Sequence, residues 1–183
     1  MLSQFSDEEG NAGLGSIFDL PKHVYPVGRL DMDSEGLLIL TNDRSLNHQL
    51  LDPKKEHQRT YWVEVDGTPD QRALLQLQRG VEINVSGKRY QTQPAEVQRV
   101  DVDLPEREPP VNRAKHPETS WLELRLTEGK NRQVRKMTAK VGHPTLRLIR
   151  VAIEELQLWP MQSGDLRMIS RNVLYRKLQL TQE

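Results

Sequence analysis

Residues 121–137 read WLELRLTEGKNRQVRKM, and the hydrophobic period changes in the middle of this segment. In residues 121–126 leucine occupies every second position, which is the period of a strand with one buried face. Residues 128–130 predict a turn. In residues 131–141 the apolar side chains lie three or four positions apart, as on one face of a helix, and Gly142 and Pro144 then predict its end. The segment therefore predicts a strand, a turn and a helix in succession.

Similar patterns extend along the chain on both sides of this segment. Alternating apolar residues predict further strands at residues 60–66, 81–85, 95–100, 146–153 and 165–169. A second helix is predicted with Thr68 as its cap, Pro69 at its first position, Gln71 in a capping box and Gly80 at its end. Residues 104–117 contain four prolines and predict a long loop. Strands and helices that do not strictly alternate are typical of an α+β domain.

The composition excludes several classes of protein. The chain has 183 residues and no cysteine, which excludes disulfide frameworks, cysteine-ligated metals and thiol nucleophiles. The five histidines are scattered and no dinucleotide or Walker fingerprint occurs, so we expect no metal and no cofactor. No apolar run approaches the roughly 20 residues of a membrane span, and the first residues are acidic, unlike those of a signal peptide. These features predict a soluble, cytoplasmic protein.

Positive charge is concentrated in one part of a chain that is neutral overall, with 26 Lys and Arg against 26 Asp and Glu. Residues 129–153 contain no acid and seven basic residues: Lys130, Arg132, Arg135, Lys136, Lys140, Arg147 and Arg150. A local patch of this kind can bind a polyanion even when the net charge is zero. The alternative is a solvated helix face with basic edge strands, and the charges alone do not distinguish the two.

Three segments carry side chains with chemical potential, and each also has an ordinary structural interpretation. Residues 27–43 place Asp31, Asp33 and Glu35 in an acidic turn between apolar stretches. These acids are either solvated or held at a strand edge, where a carboxylate can attack a substrate or take a proton. Residues 59–65 also fit an ordinary aromatic strand, and residues 128–137 fit a helix with a basic face over a core.

Taken together, the three segments resemble the pseudouridine synthases of the RsuA/RluB/RluE/RluF type. The sequence GRLD at residues 28–31, followed by DSEGLL at residues 33–38, is similar to the catalytic motif of that family. Residues 59–63, RTYWV, and residues 128–137, EGKNRQVRKM, are similar to its second and third motifs. Residues 109–110, 119–122 and 143–150 most resemble the RluE branch, which modifies one uridine of large-subunit ribosomal RNA.

The resemblance implies a fold, a substrate and a reaction. The fold is the pseudouridine synthase catalytic fold, α+β, with a mixed and largely antiparallel sheet in two lobes around a central RNA-binding cleft. Residues 1–183 would form a single catalytic domain and a monomer, without the S4 domain of many relatives and without the N-terminal strand of the RluE branch. The reaction breaks the N-glycosidic bond of a specific uridine in 23S ribosomal RNA, turns the base over and rejoins it through carbon 5. It needs no cofactor.

The resemblance also assigns roles to individual residues. Asp31 would be the essential carboxylate, and Arg135 the guanidinium that pairs with it. Tyr61 would stack on the flipped base, and its hydroxyl is the expected partner for the proton that leaves carbon 5. Arg29 would enter the stack where the base left. The remaining RNA-binding residues are Lys130, Asn131, Arg132 and Lys136.

Two other functions compete with this one. A hydrolytic nucleosidase or glycosidase would use Asp31 with Asp33 or Glu35, two carboxylates on either side of the sugar, and would release free base. A non-catalytic RNA-binding or ribosome-assembly protein would keep the fold and bind RNA without any reaction.

Overall fold

The computed structural model describes residues 3–182, which form two compact units. The first unit contains the chain up to His57 and again from Arg150 onward, and the second contains Gln58–Ile149. Along the chain the helices and strands are β1 (Tyr25–Pro26), β2 (Glu35–Gly36), β3 (Leu40–Thr41), α1 (Arg44–Leu51), β4 (Arg59–Asp66), α2 (Gln71–Arg79), β5 (Glu82–Val85), β6 (Lys88–Gln91), β7 (Glu96–Val100), β8 (Thr119–Leu126), α3 (Gln133–Lys140), β9 (Thr145–Ile153), β10 (Leu156–Gln157) and α4 (Arg171–Lys177). The predicted α+β class is confirmed.

The second unit is built on two long central strands. β4 and β8 pair antiparallel over their whole length, from Arg59 opposite Leu126 to Asp66 opposite Thr119. β7 continues the sheet beyond β8, and β9 lies on the other side of β4. These are strands that the alternating apolar pattern predicts. The sheet buries one face in a core that also takes side chains from the hairpin β5–β6, from α2 and from α3.

The helix α2 begins later than its sequence signals predict. Its cap is Asp70, whose carboxylate accepts a hydrogen bond from the Ala73 N–H at 2.8 Å. Thr68 was the wrong cap; its hydroxyl instead donates to Glu118 at 2.8 Å. An ionised carboxylate at the start of a helix accepts from the free N–H groups more strongly than a neutral hydroxyl does. The predicted end at Gly80 is confirmed, where φ is +85°.

The proline-rich segment 104–117 is a loop, as predicted, and it is fastened to the sheet of the second unit. The Arg113 guanidinium, half-exposed at 49%, pairs with the carboxylate of Glu64, which is buried in β4. The Thr119 hydroxyl donates to the same carboxylate at 2.9 Å. Near the start of the loop, the carbonyl of Pro105 accepts a hydrogen bond from Arg147 at 2.8 Å. The loop therefore supplies the cation that a buried carboxylate needs.

The first unit has a separate core that includes the helices α1 and α4. The helical pattern of α1 was not predicted, whereas residues 172–183 fit either a docking helix or a frayed end from sequence alone. Leu46 and Leu50 of α1, Leu174 of α4 and Leu178 directly after α4 belong to one buried cluster with Val27, Leu37 and Ile39. Residues 165–169 were predicted as a strand, but the prediction is wrong: they form an irregular segment leading to α4. Their apolar side chains are exposed, with Met168 fully so. In residues 3–182 no helix has the length and hydrophobicity needed to cross a membrane.

An acid joins the two helices of this unit. Asp43 caps α1 by accepting from the Leu46 N–H at 3.1 Å, and its other carboxylate oxygen accepts from Tyr175 Oη at 2.7 Å and from Arg171 Nε at 3.0 Å. Burial raises the pKa of Asp43, but the hydrogen bonds from Tyr175, Leu46 and Arg171 outweigh burial and hold the pKa below its ordinary value of 3.8. The charged form of Asp43 therefore stabilises the folded state.

We predict that Tyr175→Phe lowers the free energy of unfolding by about 1–2 kcal/mol at neutral pH, because a hydrogen bond to a charged acceptor is lost. The contribution is present above pH 3.8 and is lost as the pH falls through the folded-state pKa of Asp43. Urea unfolding of the two proteins between pH 7 and pH 3 measures this difference. Tyr25→Phe, on a ring that is 60% exposed, is the control. A difference that stays constant down to pH 3 would contradict the linkage to Asp43.

We also predict that Arg113→Gln lowers the free energy of unfolding by about 2–3 kcal/mol, because it leaves the buried Glu64 carboxylate without its cation. A second substitution, Glu64→Gln, should recover part of this loss by removing the buried charge. Urea unfolding midpoints measure both effects. Arg89→Gln, at an exposed arginine of the same unit, should change stability by less than about 0.5 kcal/mol. Strictly additive losses in the double variant would show that the two side chains are not coupled.

Candidate active site

Asp31 lies in a tight turn whose backbone is held from three sides within the first unit. The Ser34 N–H closes the turn by donating to the Asp31 carbonyl at 2.9 Å. Just before it, the Ser3 hydroxyl accepts from the Leu30 N–H at 2.9 Å and donates to the Leu30 carbonyl at 2.6 Å. The Val27 N–H donates to the Ile39 carbonyl at 2.8 Å, which joins the two ends of the loop. Asp31 is half-buried, and its backbone is fixed by these hydrogen bonds.

The end of this loop is fixed by a close approach of two backbones. The Leu37 N–H donates to the Arg150 carbonyl at 2.8 Å, and Arg150 Nε donates back to the Leu37 carbonyl at 2.8 Å. Gly36 has a φ of +105°, and a Cβ added there would lie 2.3 Å from the Arg150 carbonyl oxygen. Only glycine satisfies both constraints. The glycine of the first motif is therefore required by the backbone of β9.

The second motif places Tyr61 on β4, the central strand of the second unit. Tyr61 stands opposite Leu124 of β8 and packs against the edge of the hydrophobic core beside Val63 and Val65. Tyr61 is half-buried and packs against the core. A ring held in this way can offer a rigid stacking surface to a base. Residues 59–66 form a regular strand, so the backbone fits the interpretation as an ordinary aromatic strand as well.

The third motif forms a turn, residues 128–132, followed by α3. We name this segment the basic turn, although it opens with an acid. The helix begins at Gln133 rather than at Asn131, and Arg132 has left-handed backbone with φ of +52°. Lys130, Asn131 and Arg132 therefore lie in the turn and are exposed, whereas Arg135 and Lys136 are half-buried on the helix. Lys136 donates to the Asn131 side chain at 3.4 Å.

A set of side chains that the motifs do not predict as a cluster contacts the basic turn. The carboxylate of Glu128 accepts from the Gln93 N–H at 2.8 Å, from Gln133 Nε2 at 2.6 Å and from the Tyr90 hydroxyl. The hydrogen bond to Glu128 and burial raise the pKa of Tyr90 to about 12, so the tyrosine is neutral at physiological pH. Lys130 Nζ lies 4.8 Å from the centre of the Tyr90 ring. The sequence signal was that Glu128 and Gln133 belong to the third motif; nothing local points to Tyr90.

Of the seven basic residues in 129–153 that predict a basic patch, fewer lie at the surface than the sequence suggests. Arg147 and Arg150 are buried, at 8% and 5% exposure, and both hydrogen-bond to backbone carbonyls. The Arg147 guanidinium also lies 5.9 Å from the centre of the Trp121 ring. These two arginines hold the structure together. The cations that remain at the surface come from the basic turn and from α3.

The predicted site residues are distributed over both units. Arg29 and Asp31 belong to the first unit, whereas Tyr61 and the residues of the third motif belong to the second. Within the second unit the structure brings together the basic turn, Tyr90 and the start of α3. The predicted pairing of Asp31 with Arg135 stays a prediction.

Comparison with known proteins agrees with the three motifs. The sequence profile of the family described as RNA pseudouridylate synthase matches residues 13–140. A protein of Xanthomonas campestris pv. campestris, named ribosomal large subunit pseudouridine synthase E, is 48% identical over 170 residues, covering 91% of this chain and 89% of the relative. Ribosomal large subunit pseudouridine synthase B of Bacillus subtilis is 34% identical over 177 residues, covering 96% of this chain and 66% of the relative.

A solved structure shares the fold. The crystal structure of a pseudouridylate synthase superimposes with a TM-score of 0.77 at 22% identity, covering 96% of this chain and 68% of that chain. The fold and the resemblance to the RluE branch that the motifs indicated are thereby confirmed. The chain belongs to the RNA pseudouridylate synthase family.

Proposed function

We propose that this protein isomerises a specific uridine of large-subunit ribosomal RNA to pseudouridine, with Asp31 as the essential carboxylate. The observation that carries the proposal is the tight, backbone-fixed turn in which the GRLD motif presents Asp31. The similarity to proteins named ribosomal large subunit pseudouridine synthase E supports the choice of RNA. The protein works on this RNA as a monomer in the cytoplasm.

The reaction needs a carboxylate that is charged and cannot move away. The bond between N1 of the base and carbon 1′ of the ribose breaks, and the base turns before carbon 5 bonds to carbon 1′. The proton on carbon 5 is lost and N1 gains one, so atoms balance without a cofactor. Asp31 either adds covalently to the sugar or base, or removes a ribose proton to give a glycal. Both routes require the fixed geometry that the hydrogen bonds to Leu30 and Ser34 provide.

Tyr61 and Arg135 take the two roles that a lone carboxylate cannot fill. The Tyr61 ring packs against the edge of the core and stacks on the extruded base. Its hydroxyl is the partner for the proton that leaves carbon 5. Arg135 provides a guanidinium that keeps the Asp31 carboxylate ionised when the base excludes water.

RNA affinity comes from cations of the basic turn and of α3 and from one inserted side chain. Lys130, Arg132 and Lys136 contact phosphates, which position the RNA without reading its sequence. Asn131 adds a hydrogen bond from the same turn. Arg29, exposed two residues before Asp31, fills the space left by the flipped base. Target choice then depends on the shape of the RNA around that base.

We predict that Asp31→Asn abolishes pseudouridine formation, with a loss of about 1,000-fold or more, while RNA affinity changes by less than about threefold. The substitution keeps the size of the side chain but removes the charge that the chemistry needs. The measurement is pseudouridine content of large-subunit ribosomal RNA, transcribed in vitro and treated with either protein, alongside filter binding. Activity unchanged in Asp31→Asn would remove Asp31 from the mechanism.

Asp33→Asn is the matched control, because it removes the same charge from the same turn. It should keep most of the activity if Asp31 acts without a second acid. A loss as large as that of Asp31→Asn, together with free uracil in the reaction, would favour the nucleosidase that uses two carboxylates. Wild-type protein that binds the RNA and forms no pseudouridine would favour the non-catalytic RNA-binding function.

We predict that Arg135→Leu lowers kcat by about 100-fold or more at saturating RNA, because the Asp31 carboxylate loses its stabilising cation. Single-turnover assays at increasing RNA concentration separate this effect from weaker binding. Lys140→Leu removes a positive charge from the last turn of the same helix and should leave kcat unchanged. Equal kcat for Arg135→Leu and the wild type would reject the assigned pairing.

A further inference from the structure

The basic turn contains one residue with left-handed backbone, Arg132, at the N-cap position of α3. Arg132, the residue that caps α3, has a φ of +52°, and its side chain makes no capping hydrogen bond to the helix. Left-handed backbone costs a non-glycine residue roughly 1 kcal/mol or more. Lys130 and Asn131 beside it are exposed. Side chains on either side of residues 129–132 help to hold the turn in one shape.

Glu128 holds the start of the turn against two other elements. One carboxylate oxygen accepts from the Gln93 N–H, in the connection between β6 and β7, and from Gln133 Nε2. The other accepts from the Tyr90 hydroxyl on β6. Three donors thus converge on one carboxylate: two from β6 and the connection that follows it, and one from the start of α3. Hydrogen bonds to a charged acceptor are stronger than those between neutral groups. Together the three bonds fix both oxygens of the Glu128 carboxylate.

Gln133 closes the turn from the other end. Its side chain is buried, at 4% exposure, and only its amide nitrogen can donate to the Glu128 carboxylate, which fixes its orientation. The amide oxygen then accepts from the Lys130 N–H at 2.9 Å. The chain of bonds runs from Glu128 through Gln133 to the backbone of Lys130. It spans the turn and ties it to the first residue of α3.

Tyr90 links this arrangement to the exposed cation. Its hydroxyl donates to Glu128, and its ring lies under Lys130 Nζ at 4.8 Å from the ring centre. A cation over an aromatic face is attracted without being neutralised. The ammonium of Lys130 therefore has a preferred position and keeps its charge for a phosphate.

We propose that Glu128 and Gln133 are positioning residues for RNA binding, which set the basic turn in the shape that presents Lys130, Asn131 and Arg132 to the RNA backbone. This inference rests on the proposed function and names the residues that serve its RNA contacts. Loops ordered in advance lose less conformational entropy when they bind, so the two residues raise affinity without touching RNA. Electrostatics alone gives the opposite expectation for Glu128, because an acid beside RNA-binding cations repels phosphate.

The test is Gln133→Met, which has similar length and leaves the net charge unchanged. It removes the hydrogen bonds to Glu128 and to the Lys130 N–H, together with the long contact from Gln133 Nε2 to Met137 Sδ at 3.7 Å. We expect Kd for in vitro transcribed large-subunit ribosomal RNA to rise about tenfold. The slope of log affinity against log salt should become shallower by about one, because a phosphate contact is lost. At saturating RNA, kcat should stay within about twofold of the wild type. A role in stability alone would lower Tm and leave both Kd and the salt slope unchanged, and that result would overturn the inference.

Gln98→Met is the matched control. Gln98 Nε2 donates to Glu123 at 3.1 Å, the same type of bond between a glutamine and a carboxylate in the same unit, away from the basic turn. This variant should bind RNA with the wild-type Kd and salt slope. An equal change in both glutamine variants would contradict a specific role for Gln133.

Glu128→Gln provides an independent variant with an opposite prediction from simple electrostatics. One amide oxygen replaces two carboxylate oxygens that serve three donors, so we expect weaker RNA binding despite the loss of a negative charge. Tighter binding would overturn the inference. Wild-type protein that forms no pseudouridine would reject the proposed activity alone, because the binding comparisons do not depend on turnover.

Discussion

The close contact between Gly36 and β9 is the constraint on which the first motif depends. The Arg150 carbonyl lies so near Gly36 that no side chain fits there, and the hydrogen bonds between Leu37 and Arg150 run in both directions. Because this contact fixes one end of the loop and the bond from Val27 to Ile39 joins its two ends, few backbone conformations remain for the turn at Asp31. A catalytic carboxylate is useful only when its position is determined before substrate arrives. The motif therefore contains glycine for a packing reason and aspartate for a chemical one.

Regular elements with one clear period were predictable from the sequence, because side-chain burial has the same period as the backbone. β4 and β8 follow from alternating apolar residues, and the end of α2 follows from Gly80. The prediction was wrong where two local signals competed or where tertiary packing decides. Thr68 and Asp70 both precede α2, and only the fold shows which one reaches its free N–H groups. Residues 165–169 have a strand-like pattern but pack against no partner strand in the part of the chain that is described.

The candidate site was predictable at the level of motifs and not at the level of contacts. The residues of the three motifs could be named from the resemblance of three continuous segments to the motifs of a family, and their assembly into one site stays a prediction. Tyr90 could not be named, because it lies 38 positions from Glu128 and its role exists only through the fold. The basic patch was overestimated for the same reason. Charge can be counted in a sequence, but Arg147 and Arg150 form buried hydrogen bonds that the count does not reveal.

The loss of two arginines from the surface patch changes how RNA affinity must arise. A protein with zero net charge has little long-range attraction to RNA, so its affinity depends mainly on local contacts. With fewer cations exposed in residues 129–153, each one must be placed well, because the entropy of ordering a long side chain offsets much of a single phosphate contact. An acid at the start of the basic turn is then reasonable despite its charge. Glu128 costs some attraction to phosphate, but its three hydrogen bonds order the turn that bears Lys130 and Arg132. The same logic explains why Gln133, the first residue of α3, is buried although it is polar: its amide is the bridge between that acid and the backbone of Lys130.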